Sequence, residues 1–250
     1  MSDSERSISL DSQKFNQLTQ CFAILKDLCN DVDIRDGFIR QRSNDRAVIF
    51  EMDLTPLISD VSIPITNLKQ KFDLFKMYSD EAVTFTITDN KFSIADNFSG
   101  LNFEKPSLEY MDNKFLATEE LNSIFELFDE DLVMKIDISK TISDRLRIIA
   151  QSFNINSVQV GFSGETASIS ATTQAKDQHA KLVDNITLNS PIERAVTNLI
   201  ITPFVVEHDS NIDFSLYNDQ ENQLINKSVM TIGDVNITIF GRSSIVRQGD

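Results

Sequence analysis

Few residues of this chain have the types and spacing that catalysis or metal binding requires. Cys21 and Cys29 lie in one predicted helix, separated by a rise of about 12 Å, which is too far for a disulfide between them. His179 and His208 are far apart in the sequence, so no ligand set for structural zinc is evident. No phosphate-binding glycine motif and no nucleophile-elbow motif occurs. The sequence therefore predicts a protein that is not an enzyme and needs no cofactor or metal.

The basic residues are concentrated in the predicted helices, although the 250-residue chain has a formal net charge of −15. The segments 12–30, 67–79 and 140–153 hold eight lysines and arginines but only three aspartates, a net charge of +5. The remainder then carries −20. On charge alone, this sorting favours solvated helix faces on which lysines pair with acids such as Asp73 at helical spacing. The alternative is a set of helices that face a polyanion, with an acidic remainder that repels nucleic acid elsewhere.

Hydrophobic periodicity predicts three helices with caps. They span 12–29 after Asp11 or Ser12, 67–78 after Asn67, and 140–153 after Ser139. The residues predicted to be buried are Phe15, Leu18, Phe22, Leu25, Cys29, Leu68, Phe72, Phe75, Ile142, Leu146, Ile149 and Phe153. The opposite faces hold Gln13, Asn16, Gln17 and Gln20 on the first helix, and Lys140, Asp144, Arg147 and Gln151 on the third.

Alternating apolar residues predict many short strands. They are 48–53, 61–65, 83–87, 92–94, 132–139, 157–162, 167–173, 182–188, 198–202, 211–217 and 235–240. Residues 7–106 thus contain strands and two helices, and residues 132–242 repeat this order with only a short helical turn near Pro203–Glu207 in place of the second helix. The expected fold is α+β, a duplicated unit of sheets with helices on one face. The expected domains are 1–106 and 132–250, joined by a connector, 107–131, with a short helix at 117–127.

No apolar run approaches the length of a membrane span, and the first residues, MSDSERSISL, lack the basic and apolar regions of a signal peptide. We therefore expect a cytoplasmic protein with no membrane partner, located in the host cytoplasm if the protein is viral.

Two segments resemble the first domain of DNA sliding clamps, the processivity factors of DNA polymerases. These are LKDLCNDVDIRDGFIRQRSNDRAVIFEMDLTPLI, 25–58, and DVSIPITNLKQKFDLFKMYSDEAVTFTITDNKFSIAD, 60–96. The last part, 214–241, is similar to the closing strands of the second clamp domain. The resemblance is nearest to clamps of T4-type bacteriophages and more distant to proliferating cell nuclear antigen.

The resemblance implies the DNA-clamp fold and a homotrimeric ring, with strands outside and helices around double-stranded DNA. It also implies a DNA polymerase and a clamp loader as partners in viral DNA replication, together with late-transcription factors. The residues implied to face DNA are Lys14, Asn16, Gln20, Lys69, Lys76, Lys140 and Arg147. Those implied at the subunit interface are Ser99, Leu101 and Phe103 on one copy and His179, Lys181 and Val183 on the next. An apolar partner pocket would involve Leu108, Tyr110, Phe115, Leu116, Ile245 and Val246, for which packing in the core is the competing interpretation.

Other classes of protein stay open. A clamp-like processivity factor that does not form a ring would hold DNA by charge and show steep salt dependence. A phage structural or assembly protein built of duplicated sheets would not bind DNA. An enzyme is the weakest alternative, because no constellation of residues supports one.

Overall fold

The chain divides into two units, Met1–Ile124 with Thr231–Ile237 and Phe125–Met230 with Thr238–Asp250. The computed structural model describes residues 5–78, 80–107, 110–111, 114–124, 129–173, 175, 178–200, 210–219 and 223–247.

The first unit combines three helices with two antiparallel sheets. Its elements are β1 Arg6–Leu10, α1 Ser12–Leu25, β2 Val32–Arg35, β3 Phe38–Arg42, β4 Val48–Asp53, β5 Ser62–Ile65, α2 Leu68–Lys76, β6 Val83–Ile87, β7 Lys91–Ala95, β8 Gly100–Glu104 and α3 Thr118–Ile124. One sheet has the strand order β1-β6-β7-β8, and β5-β2-β3-β4 follow one another in the other. The short helix α3 confirms the helix predicted in the connector.

Aromatic rings join the helices to the strands in the core of the first unit. Phe75 of α2 lies 5.5 Å from Phe22 of α1 and 5.5 Å from Phe103 of β8, between ring centroids. Phe15 of α1 lies 5.9 Å from Phe85 of β6. These rings are fully or almost fully buried, so the apolar stripes of both helices cover the sheet β1-β6-β7-β8.

The second unit contains one long helix and long strands. Its elements are β9 Leu132–Ile138, α4 Lys140–Phe153, β10 Ser157–Thr172, β11 His179–Ile200, β12 Ile212–Asn218, β13 Gln223–Ile232 and β14 Val235–Arg247. The end of β13 and the start of β14, within Thr231–Ile237, belong to the first unit. The strands β9, β12, β13 and β14 are neighbours in that order, and β11 pairs with β10 and, at Ala195–Thr197, with β14.

Two helices begin with the predicted caps, whereas Asn67, directly before α2, has a φ of 52° and its side chain makes no capping hydrogen bond. The Asp11 side chain accepts a 2.8 Å hydrogen bond from the Lys14 amide, and the Ser139 hydroxyl accepts one of 3.4 Å from the Ile142 amide. The first helix nevertheless ends at Leu25 rather than at 29. Cys29 is buried and donates its amide to the Leu25 carbonyl at 2.7 Å. Its apolar side chain therefore continues the helical periodicity beyond the helix itself.

Two predicted strand breaks are wrong. The segments 157–162 and 167–173 form the single strand β10, whose register shifts near Gly164, and 182–188 joins 198–200 in β11. Irregular pairing interrupts the alternation of side chains without ending the strands. The turn predicted near Pro203–Glu207 lies outside the described residues.

The buried stripe of α4 also differs from the prediction. Leu146 is buried as expected, but Ile142, Ile149 and Phe153 are only half-buried, and Ser143 and Ala150 are buried instead. Small side chains face the strands of the unit, so the apolar residues beside them remain partly open to solvent. Phe72 of α2 is likewise half-buried.

Within the described part of the chain, no helix combines the length and apolar character needed to cross a membrane.

Candidate nucleic-acid interface and connector site

The helices present their positive charge unevenly. Together α1, α2 and α4 contain seven basic and two acidic side chains. On the first unit, Asn16, Lys69 and Lys76 are exposed, whereas Lys14 and Gln20 are half-buried. All five predicted DNA-facing residues of this unit therefore reach solvent at least in part.

The prediction that Gln17 lies on the outer face of α1 is wrong, because this residue is buried and only 8% exposed. It lies against Gly233, where a Cβ atom would overlap the Gln17 side-chain amide. A glycine more than two hundred positions away makes room for this glutamine. The local helical pattern therefore holds no signal for its burial.

Two further lysines, Lys71 within α2 and Lys26 at the end of α1, lie against aromatic rings. The Lys71 ammonium lies 5.4 Å from the Phe103 ring centroid and donates to the Thr66 hydroxyl at 3.2 Å. Burial lowers the pKa of Lys71. Lys26 lies over the Phe72 ring at 5.5 Å. Lys69 and Lys76 are thus the exposed cations of α2.

On α4, Lys140 is exposed and Arg147 is half-buried. The Arg147 guanidinium donates to the Asp144 carboxylate at 2.8 Å, one helical turn away. A pair that stays partly open to solvent in this way contributes little to stability, and Asp144 offsets part of the positive charge.

The first predicted interface strand, β8, lies at the end of its sheet and pairs only with β7 among the described strands. Ser99, just before it, is exposed, and Leu101 is half-buried. The Phe103 side chain is buried and stacks on Phe92 at 4.9 Å. Phe103 can therefore offer only its main chain at the edge. Phe98, for which the sequence holds no signal of exposure, is 89% exposed beside this strand.

The second predicted interface strand is the beginning of β11. His179 and Lys181 are exposed and Val183 is half-buried. His179 Nδ1 lies 3.0 Å from the Thr172 hydroxyl across the pair with β10, and Lys181 forms an ion pair with Asp184. Among the described residues, β10 is the only strand that pairs with this part of β11.

The residues predicted for an apolar partner pocket are found in different places. Leu108 lies outside the described residues. Leu116 is buried, Phe115 is half-buried with its ring 4.8 Å from Arg35 Cζ, and Tyr110 is exposed. Ile245 and Val246 belong to β14 of the second unit, opposite Thr197 and Val196. The apolar pocket stays a prediction.

A polar cavity of about 300 Å³ lies beside the connector in the first unit. We call it the connector cavity. Its lining residues are Asp31, Gln41, Arg42, Ser43, Asn44, Arg46, Lys114 and Leu116. Connector residues reach this cavity because Phe115 bridges to Gln41 of β3 and the Leu116 amide donates to the Arg40 carbonyl at 2.7 Å.

Asp31 attaches the connector to the sheet. Its carboxylate accepts hydrogen bonds from the Lys114 ammonium, from the Tyr110 hydroxyl at 2.8 Å and from the Asn67 amide at 3.0 Å. Burial alone would raise the pKa of Asp31, but the bonds from Lys114, Asn67 and Tyr110 outweigh it and hold the pKa below its usual value. Burial alone would lower the pKa of Lys114, and its bonds to Asp31 and Tyr110 raise it.

No nucleophilic or metal-binding group emerges from the described residues. Burial raises the pKa of both Cys21 and Cys29 to about 12, so neither thiol ionises at neutral pH. No group of three histidine, cysteine or acidic side chains in the described part of the chain is placed to hold a metal ion.

No family model and no curated protein matches the sequence. Solved structures do match the fold. Proliferating cell nuclear antigen (PCNA) from A. fulgidus, solved with the C-terminal region of FEN-1 bound, aligns with a TM-score of 0.61 at 11% identity, over 98% of this chain and 99% of that chain. PCNA from Entamoeba histolytica aligns with a TM-score of 0.61 at 11% identity, over 95% and 98%.

A PCNA2–PCNA3 complex from Sulfolobus tokodaii also aligns, with a TM-score of 0.59 at 13% identity, over 95% of this chain and 99% of that chain. These matches span nearly the whole chain. The protein therefore has the PCNA-type DNA-clamp fold, which confirms the fold class predicted from the sequence.

Proposed function

We propose that this chain is the subunit of a ring-shaped sliding clamp that encircles duplex DNA and tethers a replicative DNA polymerase. The observation that carries the proposal is the clamp fold combined with positive charge on the helices of an acidic chain. The helices α1, α2 and α4 have a net charge of +5 in a protein of −15. Contacts of such helices with phosphates carry no sequence information, as sliding requires.

The DNA-facing residues in this proposal are Lys14, Asn16, Gln20, Lys69, Lys76, Lys140 and Arg147. Their positive charge is modest, which suits a protein that holds DNA by topology. Tight binding to phosphates would slow sliding, because each contact releases counterions and must be broken before the ring advances. The protein itself would perform no chemical step.

Two strand edges support ring closure. The edge of β8 would pair with the edge of β11 near His179–Val183 on the next copy, main chain to main chain. An unpaired edge is a template for such pairing. Because the two edges differ, the contact is head to tail, and three copies would close a ring. The resemblance of 25–58 and 60–96 to T4-type clamps supports phage DNA replication, with a clamp loader and late-transcription factors as further partners, in the host cytoplasm.

A retention experiment tests encirclement. A linear duplex is fixed to beads at one end, the protein is threaded over the free end with a crowding agent, and the free end is then blocked with streptavidin. At roughly 1 M NaCl, where charge contacts are screened beyond about 3 Å, a ring stays bound until a restriction enzyme cuts the duplex. Loss of the protein in the salt wash supports the processivity factor that does not form a ring. Absence of binding at every salt concentration supports a structural protein.

A charge-reversal variant tests the assigned surface in the same assay. Lys140→Glu should reduce the amount of protein threaded several-fold without releasing protein already enclosed. Lys91→Glu, at an exposed position at the start of β7, makes the same change of charge away from the helices and should thread like the wild type. Equal threading by both variants would remove Lys140 from the DNA-facing set.

A further inference from the structure

The connector cavity carries an excess of positive charge. Arg42, Arg46 and Lys114 line it, whereas Asp31 is the only acidic lining residue in the part of the chain that the structure describes. This is unusual in a chain with 38 acidic and 23 basic residues. The excess is therefore a local feature of this surface rather than a result of composition.

The negative charge of Asp31 is already neutralised. The Asp31 carboxylate is occupied by the Lys114 ammonium, the Tyr110 hydroxyl and the Asn67 amide. Asp31 and Lys114 thus balance each other, and the charge left in the cavity belongs to Arg42 and Arg46.

The two arginines have little internal compensation. The Arg42 guanidinium lies 3.8 Å from Glu120, and both side chains are nearly half exposed, so this pair is weak. The Arg46 guanidinium makes no hydrogen bond or ion pair with any residue in the described ranges. A guanidinium group at the wall of a cavity can donate two parallel N–H hydrogen bonds. This geometry matches the two oxygens of a planar anion such as a carboxylate.

The turn that presents these arginines is held in place. Asp45, the nearest acid in the sequence, accepts from the Ser43 hydroxyl at 2.6 Å and from the Ala47 amide at 3.0 Å. Its carboxylate is therefore used within the turn, and Asp45 does not line the cavity. The Asn44 amide donates to the Leu28 carbonyl at 2.9 Å, and Arg46 has a φ of 60°.

We propose that the connector cavity binds a carboxylate of a partner peptide, either an acidic side chain or a C-terminal carboxylate. A volume of about 300 Å³ is at the lower end of ligand pockets and holds one or two side chains. The convex backbone of a duplex would rest on the rim and leave the cavity empty. Buried Leu116 supplies an apolar wall for the methylene groups of the bound residue. The inference rests on the proposed clamp function, since it specifies the chemistry by which a partner would be recognised.

Four small probes separate the sources of the anion. They are the acetylated, amidated glutamate Ac-Glu-NH2, with a side-chain carboxylate only; Ac-Gln-OH, with a C-terminal carboxylate only; Ac-Gln-NH2, with neither; and inorganic phosphate. Binding is followed by NMR through the Nε–Hε signals of the arginine side chains in the full-length protein. One or both carboxylate probes should shift the Arg42 and Arg46 signals to saturation, with a dissociation constant on the order of 1 mM. Equal shifts with Ac-Gln-NH2, saturation by phosphate alone, or no saturation by any probe would overturn the proposal.

A variant and its control localise the site. Arg46→Asn keeps a residue that tolerates positive φ and should weaken binding of the carboxylate probe at least tenfold. Lys91→Asn removes one exposed cation elsewhere in the first unit and should leave binding unchanged. Equal binding by the wild type and Arg46→Asn would contradict the assignment.

Failure of this inference is distinguishable from failure of the clamp proposal. The bead assay on the Arg46→Asn variant should still show a salt-resistant ring. If the protein stays on the blocked DNA but binds neither carboxylate probe, only the cavity proposal is contradicted. Carboxylate binding by a protein that never stays on blocked DNA would contradict the clamp function and leave the anion site in place.

Discussion

The hydroxyl of Tyr110 donates a 2.8 Å hydrogen bond to the carboxylate of Asp31, across 79 positions of sequence. Lys114 adds a charged hydrogen bond to the same carboxylate oxygen. Two connector residues thus converge on one buried acid directly before β2. This arrangement fixes the segment that lines the connector cavity.

Removing the charge of Asp31 should loosen the connector. We expect Asp31→Asn to lower the free energy of unfolding by about 2 kcal/mol, because hydrogen bonds to a buried charge are lost. Urea denaturation measures this change, and hydrogen exchange should rise at residues 114–116. The matched control is Asp27→Asn, which removes an exposed acid paired with Lys26 and Lys69 and should cost less than about 0.5 kcal/mol. Equal losses for the two variants would contradict the special role of Asp31.

The contribution of Asp31 should depend on pH in a defined direction. Its pKa in the folded protein is lowered, chiefly by Lys114, Asn67 and Tyr110 acting against burial. The ionised form is therefore favoured by folding, and its contribution is present above the unfolded pKa of about 3.9. It is lost as the pH falls through the lower folded pKa. The difference in unfolding free energy between wild type and Asp31→Asn should stay constant from pH 7 to about pH 5 and shrink below about pH 4. A difference that grows on acidification would show that folding does not lower the pKa of Asp31.

Two glycines with positive φ should respond differently to substitution. Gly37 has a φ of 82°, and a Cβ atom there would lie 2.5 Å from the Ile58 carbonyl oxygen. Gly164 has a φ of 65° with nothing within 4 Å of that position. Gly164→Ala should cost roughly 1 kcal/mol for the backbone conformation alone. Gly37→Ala should cost clearly more, because the backbone at Ile58 must also move. Denaturation curves of both variants test this order, and equal costs would contradict the close approach at Gly37.

Phe98 should matter for assembly and not for the stability of the subunit. Its side chain is 89% exposed, in a turn fixed by hydrogen bonds from the Phe98 and Ser99 amides to Asp96 at 2.7 and 2.6 Å. Burial of such a ring between copies contributes about 1.5–3 kcal/mol, so Phe98→Ala should raise the dissociation constant of the assembly roughly tenfold or more. Val246→Ala, a truncation of another exposed side chain, should leave it unchanged. Analytical ultracentrifugation over a dilution series measures the dissociation constant of the assembly for each variant. An unchanged dissociation constant for Phe98→Ala would remove Phe98 from the interface.

Features set by neighbouring residues were predictable from the sequence. The start of α4 at Lys140 after Ser139 and the strand β4 at Val48–Asp53 follow from a cap and from side-chain alternation, which are local signals. The DNA-clamp fold followed from the order of such elements together with the resemblance to clamps.

Features set by distant residues were not predictable. Gln17 is buried because Gly233 leaves space for it, and Asp31 is buried because Tyr110 and Lys114 satisfy its charge. The exposed fraction of Phe98 depends on which strand forms the end of the sheet. Each of these depends on tertiary contacts, and periodicity within one helix or strand carries no signal for them.

The native mass in solution tests the central claim most directly. Light scattering after gel filtration should be measured at micromolar protein and again after about tenfold dilution. Three copies of the 28.3 kDa chain give about 85 kDa, and the closed ring predicts this mass at both concentrations. A mass of a single chain at both would contradict the ring and leave Lys69, Lys76 and Lys140 without a duplex to surround.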